Sequence, residues 1–281
     1  FAVLIMKHTL RVTLLLVGLF FIAQLIGLGV LQSYLEKETT IVDGTTKVNV
    51  TWGKLPYDVE RPAFEEKTGF LSLFGTILIA TALILVIMKF KFFTLWKFWF
   101  FLSVWFCLTV AFHAVLPQHQ ALFLAAVLAG GKILLRQTIL HNFTEVFIYG
   151  GLAAVFVPFL TLWTISLLLI LISAYDAYAV WKSKHMVSMA TFQTNMKLFA
   201  GFMIPYGKKH AILGGGDIGF PLIFSGVILK SFGMMQSIIV SLVVSLALLV
   251  LLMKAEKNKY YPAMPFISLG CFAGLLLVYL L

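Results

Sequence analysis

Charge is what this sequence has least of. Only 11% of its 281 residues are charged, while 61% are hydrophobic, and a soluble domain carries about 25% charged residues. That deficit leaves no room for a large soluble domain and points to the bilayer. Cysteine is scarce as well: Cys107 and Cys271 both lie inside apolar runs, so no disulfide framework is implied. Neither HExxH nor any paired-ligand spacing occurs among the six histidines, which argues against a metalloprotease. Nothing marks a membrane serine paired with a histidine on another span. No internal repeat is evident, which weakens a transporter built from inverted halves. The net charge of +10 is not a nucleic-acid footprint, because no aromatic-basic patch accompanies it. The basic residues stand at the ends of apolar runs, where positive-inside anchoring accounts for them. Neither a metal nor any other cofactor is expected, nor a nucleic-acid partner.

What the chain does have is apolar length. Runs at 9–31, 69–88, 94–116, 119–139, 143–159, 160–181, 211–230, 233–253 and 262–281 are each near the roughly 20 residues that a crossing helix needs. The expected fold class is therefore an all-α membrane protein of about nine transmembrane helices. The fifth and sixth runs are separated by little more than Pro158, yet Phe143 to Trp181 is too long for one crossing. The chain opens on Phe1, which reads as a start downstream of a native N-terminus. Its first run has no small-residue cleavage site after it and reads as a retained helix, not a signal peptide.

A cytoplasmic N-terminus puts fifteen of the 21 basic residues on the inner side, as short-loop charge asymmetry favours. The C-terminus then lies outside, and the localisation expected is the cell membrane. Three parts follow: a six-helix part over 1–181 with an external loop at 32–68, a cytoplasmic loop at 182–210, and a three-helix part over 211–281. The outer loop holds seven of the eleven acidic residues, and its Asp43-Gly44 predicts a hairpin turn. Asn49-Val50-Thr51 is a glycosylation sequon on the outer side; Asn142-Phe143-Thr144 matches too but falls on the inner side and is discounted. Met196 to Ile204 is an apolar stretch suited to lie on the membrane surface or plug a cleft.

Two carboxylates stand well inside the predicted spans, Asp176 and Asp217. Such a residue costs about 2.5–3.5 kcal/mol on insertion scales and is a functional-site hypothesis by default. A helical ion-pair partner would stand three or four residues away. Asp176 has Ile172, Ser173, Ala179 and Val180 there, and Asp217 has Leu213, Gly214, Phe220 and Pro221, so neither has a local cation. At 1.5 Å per residue, Asp176 lies about 9 Å and Asp217 about 12 Å from the inner ends of consecutive spans. At one depth they can meet. Two close carboxylates cannot both ionise easily, so one keeps a proton. The ionised one can then activate water while the neutral one hydrogen-bonds a carbonyl oxygen. A proton- or cation-coupled transporter or leak pathway would use similar groups, and that alternative stays open.

The flanking residues fit the hydrolytic reading. Gly214, Gly215 and Gly216 remove bulk before Asp217 and admit another backbone, although small residues also pack helices. Pro221 deprives the Asp217 carbonyl of its helical donor and so loosens that turn. Tyr175 offers a phenolic donor beside Asp176, or is ordinary interfacial tyrosine. Glu145 reads as a carboxylate at a helix start, suited to the dipole. Lys132 and Arg136 read as snorkelling to the inner face, and Trp96, Trp99 and Trp105 as belt residues. Gln24 and Gln236 read as interhelical hydrogen-bond formers.

Tyr175-Asp176 on one span and Gly214-Gly215-Gly216-Asp217 on the next resemble the YD and GxGD motifs of the presenilin and signal peptide peptidase family. Pro262-Ala263-Met264 at the start of the last span is similar to that family's PAL motif, with Met in the Leu position, a volume-conserving swap. Archaeal presenilin homologues are the most similar in length and composition, and the N-in, C-out orientation matches presenilin. The resemblance implies a presenilin-like fold and an intramembrane aspartyl protease cleaving transmembrane segments, with Asp176 and Asp217 catalytic. It implies that Pro262, Ala263 and Met264 position substrate. Pro262 and Pro265 cannot both sit in regular helix, so backbone there is free for an unwound substrate to add as a strand, although proline also suits helix initiation. The family further raises cleavage of the loop at 182–212 and a need for accessory subunits or a homo-oligomer, both open here.

Overall fold

The structure, a computed structural model, describes residues 9–42, 45–62, 69–135, 137–182, 199–207, 209–256 and 261–281. Asp43-Gly44, Arg136 and most of the 182–212 loop lie outside the described residues. Among the described residues the chain forms nine α-helices and two β-hairpins. The helices are α1 (Leu10–Tyr34), α2 (Gly69–Phe90), α3 (Phe93–His113), α4 (Gln118–Leu135), α5 (Thr138–Phe156), α6 (Leu162–Trp181), α7 (Gly215–Phe232), α8 (Met234–Lys254) and α9 (Met264–Leu280). They follow the nine apolar runs one for one. Helix is what such runs must form, because hydrocarbon satisfies no backbone polar group.

Seven of these helices are long and apolar enough to cross a membrane. The two shorter or more polar ones are α7 and α9. Large apolar side chains stand on the outer surface, among them Ile79, Phe123, Leu134 and Ile139, as lipid contact requires. The inner faces of α1, α5, α6, α7, α8 and α9 supply one buried apolar core, while α3 and α4 share a second. Helix α1 packs on α5, α7 and α8, and α9 packs on α8 and α6. The contact of α1 with α5 is backbone to backbone: a Cβ on Gly150 would come within 3.1 Å of the Gly27 Cα. Small residues serve this purpose in membrane interiors, where close packing replaces a hydrophobic driving force.

The uncertain division between the fifth and sixth runs is a real break. Val157–Phe159 forms a 3-10 turn around Pro158, and Thr161 then opens α6 with a capping box to Thr164. Lys230 Nζ donates to the Pro158 carbonyl at 3.1 Å, satisfying an acceptor that the break leaves over.

The hairpins were only partly expected. In the first, β1 (Leu35–Val42) pairs antiparallel with β2 (Thr45–Trp52), Val42 facing Thr45, which fits a two-residue connection. Arg61 ties this outer layer to the bundle, donating to Gly53 O at 2.7 Å and to Ala154 O near the end of α5 at 3.2 Å. Burial lowers the Arg61 pKa from its usual value, and the Tyr34 nearby opposes that shift. In the second, β3 (Gly201–Tyr206) pairs with β4 (Lys209–Gly214), Gly201 facing Gly214.

That second hairpin corrects the seventh span. Residues 211–214 are strand, not helix, so α7 begins at Gly215 and the helical depth arithmetic does not apply to Asp217. The apolar stretch to Ile204 is buried in part, with Phe199, Phe202 and Ile204 in the core, and β3 lies against α5 and α1.

Three side-chain expectations also fail. Lys132 does not snorkel: it is buried and bonded to Glu145 at 2.5 Å. Glu145 is no helix-start carboxylate, because α5 begins at Thr138 and carries it about two turns inward. Trp96 is buried rather than lipid-facing, whereas Trp99 faces outward as expected.

Candidate active site

Asp176 lies in the second-last turn of α6, with its side chain turned inward; the residue is 5% exposed. Its Oδ2 accepts the backbone N–H of Met264 at 3.1 Å. Ala263 is the N-cap of α9 and Met264 its first residue, with Pro265 immediately after. The first N–H groups of a helix have no internal acceptor, and the positive end of the helix dipole favours an anion there. Asp176 therefore fills the capping position that no side chain of α9 fills. One turn back along α6, the Ser173 hydroxyl meets that of Ser268 at 2.8 Å and fixes α9 to α6.

Asp217 is the third residue of α7, after Gly214 as N-cap and Gly215 and Gly216 as the first two positions. Its carboxylate folds back toward the Gly214 backbone. Residue 217 is half-buried, more open than Asp176. Asp176 is the charged group that acts on Asp217, so the two side chains stand within electrostatic reach of each other. Among the described residues, ion pairs join Lys54 to Asp58 and Lys132 to Glu145. Neither pair includes Asp176 or Asp217.

The glycines divide by what surrounds them. A Cβ on Gly214 would lie 3.1 Å from Asp217 Oδ2, and one on Gly215 would lie 2.9 Å from the Tyr149 hydroxyl. A Cβ on Gly216 would meet nothing nearer than 3.6 Å. Gly215, which the motif leaves as a free position, is the crowded one. Its N–H donates to Ala200 O at 3.0 Å, continuing the hairpin to the helix start.

Pro221 is buried inside α7, four residues after Asp217. Gln24 of α1 donates from Nε2 to the carbonyl of Ile218 at 3.0 Å, so the interhelical bond expected of it exists, in the turn that proline loosens. The Tyr175 ring packs edge-on against Phe74 of α2 at 6.3 Å between centroids. Pro262 and Met264 are buried and Ala263 partly so. The structure thus brings Asp176, Asp217, Gly214, Ala263 and Met264 together at the junction of α6, α7 and α9.

The residues that sequence reasoning missed stand on α5. His141, Asn142 and Glu145 bond to the backbone of β3, and Tyr149 packs on Gly215. Their sequence signal was a pair of opposite charges, Lys132 and Glu145, on consecutive spans.

A multi-helix membrane fold with two inward carboxylates at helix starts defines the class: a polytopic membrane protein with an acidic site within its helices. Residues 60–217, more than half of the chain and including both aspartates, match the family described as signal-peptide peptidase, presenilin aspartyl protease. The chain belongs to that family. Among solved structures it is similar to a presenilin family intramembrane aspartate protease seen in C222 and P2 crystals. Identity is 18% for both, over 95% of this chain, with TM-scores of 0.66 and 0.63 and coverage of 98% and 97% of those chains. No curated protein matches. At that identity the likeness establishes the fold, which is the presenilin fold.

Proposed function

We propose that this protein is an intramembrane aspartyl endopeptidase in which Asp176 and Asp217 share one proton and hydrolyse peptide bonds within transmembrane segments. The observation that carries the reading is the convergence of the two side chains. Asp176, on the α9 start, and Asp217, in the first turn of α7, interact across the site. Two carboxylates within electrostatic reach resist ionising together, so one keeps a proton. The ionised one takes a proton from water as the water oxygen attacks the scissile carbonyl carbon. The neutral one donates to the carbonyl oxygen, and the proton returned to the amide nitrogen lets the C–N bond break.

Pro262, Ala263 and Met264 position substrate in this reading from the start of α9, beside Asp176, and Tyr175, Gly214, Gly216 and Pro221 support the two aspartates from their flanks. The chain enters from the cytoplasm, leaves on the outer side and resides in the cell membrane, acting on single transmembrane helices. The test is purified protein in detergent with a transmembrane peptide. New fragments should appear with wild type and vanish with Asp176→Asn and with Asp217→Asn. Undiminished cleavage by either variant sinks the reading. Counter-ion flux that depends on both aspartates, with the peptide left whole, would replace it with the transport alternative.

A further inference from the structure

Three side chains in the first two turns of α5 hold strand β3 by its backbone. His141 Nε2 meets Gly201 O at 2.8 Å. Asn142 donates from Nδ2 to Met203 O at 2.8 Å and accepts Met203 N–H on Oδ1 at 3.0 Å. Glu145 Oε2 accepts the Gly201 N–H at 3.0 Å. Gly201 faces Gly214 in the β3–β4 register, three residues before Asp217. Whatever holds Gly201 therefore holds the approach to the candidate dyad.

Glu145 does more than hold Gly201. The Tyr149 hydroxyl also donates to its Oε2, and the Tyr149 ring lies along Gly215 and Gly219, on the same face of α7 as its first turn. Its other oxygen takes Lys132 Nζ at 2.5 Å, and Lys132 also donates to Thr144 Oγ1 at 3.1 Å. The Lys132 and Glu145 side chains are only 2% and 1% exposed. Burying two charges is costly, and a pair of apolar residues of like volume is often at least as stable. Stability alone therefore does not account for this pair. What the pair supplies, and an apolar pair would not, is an ionised acceptor aimed at Gly201 and Tyr149.

We propose that Glu145, charge-balanced by Lys132, is a positioning residue for Asp217. One carboxylate fixes the strand that faces Gly214 and, through Tyr149, the helix turn that begins at Gly215. These are the two pieces of backbone that set where the Asp217 carboxyl stands. The proposal rests on the reading of Asp217 as catalytic. The chemistry itself stays with the two aspartates; Glu145 acts through the backbone only.

The test compares two double variants of the full chain. Lys132→Met with Glu145→Met removes the charges and the acceptor, while Lys132→Met with Glu145→Gln removes the charges but keeps an acceptor oxygen. Both should unfold near the wild-type temperature in detergent. The first should lose at least about tenfold in kcat with KM within about twofold, since small misplacements at a reacting centre are expensive in rate. The second should recover most of that loss. A first variant that folds and cleaves at the wild-type rate overturns the proposal, as does a second variant no better than the first. Hydrogen exchange over 199–216 is read in parallel and should quicken only in the first variant. If wild type leaves the peptide whole, the protease reading fails, and exchange then decides the positioning role by itself: unaltered exchange overturns it. Should the first variant not fold, Asn142→Ala removes part of the same grip without touching the charges. Unchanged kcat and unchanged exchange there count as refutation.

Discussion

The Asp176 carboxylate accepts the Met264 backbone N–H at 3.1 Å, so one side chain of α6 caps the start of α9. The helix that ends near the site and the helix that begins there are joined at a carboxylate. Met264 is itself 3% exposed, and its side chain secures the same junction from the apolar side. Met264→Leu, which restores the family's usual residue, should change stability by less than about 1.5 kcal/mol and leave cleavage close to wild type. Met264→Ala should cost about 2–5 kcal/mol and lower cleavage as the cap loosens. Unfolding in mixed detergent, with peptide cleavage on the same samples, checks both.

The glycines before Asp217 should respond in an order that the motif alone does not suggest. Gly215→Ala meets the Tyr149 hydroxyl at 2.9 Å and should be the most harmful, by about 1–3 kcal/mol of overpacking. Gly214→Ala sets a methyl 3.1 Å from Asp217 Oδ2, so activity should fall more than stability. Gly216→Ala, with 3.6 Å of clearance, should be tolerated. Cleavage rates and thermal midpoints of the three variants give the order directly.

Arg61 is the cation that joins the outer hairpin to the end of α5. Arg61→Ala removes charge-assisted bonds to Gly53 and Ala154, each of a kind contributing about 1.5–3 kcal/mol. The outer layer over 35–62 should then be cut sooner by an added soluble protease, while cleavage of a transmembrane peptide by the proposed site, at the junction of α6, α7 and α9, stays at the wild-type rate. Arg61→Lys should restore little, because one ammonium does not reproduce the guanidinium fork.

Gln24→Leu should be nearly silent. The Gln24 bond to Ile218 O contributes about 0.6 kcal/mol by the average for interhelical bonds in membranes. Its Oε1 is buried with no hydrogen-bond partner among the described residues, which offsets part of that gain. A loss above about 2 kcal/mol in unfolding would show that this turn, in which Pro221 leaves the Asp217 carbonyl without its helical donor, depends on Gln24 more than this balance allows.

The helices were legible because hydrocarbon demands long apolar runs, and the break between α5 and α6 because Pro158 and Thr161 are a helix stop and a helix cap. The two aspartates were legible for the opposite reason: charge in an apolar run stands out. The β3–β4 hairpin was not. Residues 211–214 are apolar and adjoin a span, so hydropathy joins them to it, although Gly207-Lys208 between apolar stretches was an available two-residue turn signal. The Lys132–Glu145 pair was hidden by its spacing. A search at three or four residues finds helical partners, and these two lie 13 residues apart on successive helices. Each alone looks like an ordinary charge near a span end. Asp217 falls on the expected helix, but its position at the third residue depends on where the strand stops.

Helix α7 has a further consequence for its surroundings. It has 18 residues, about 27 Å at 1.5 Å per residue, against a hydrocarbon layer of about 30 Å. It begins two residues before Asp217, where a strand and not another helical turn precedes it. Lipid relieves such a mismatch by thinning locally, at fractions of a kcal/mol per Å. Acyl-chain length should therefore act on this site: thicker bilayers resist the thinning and should slow cleavage of a transmembrane peptide, and thinner ones accommodate it.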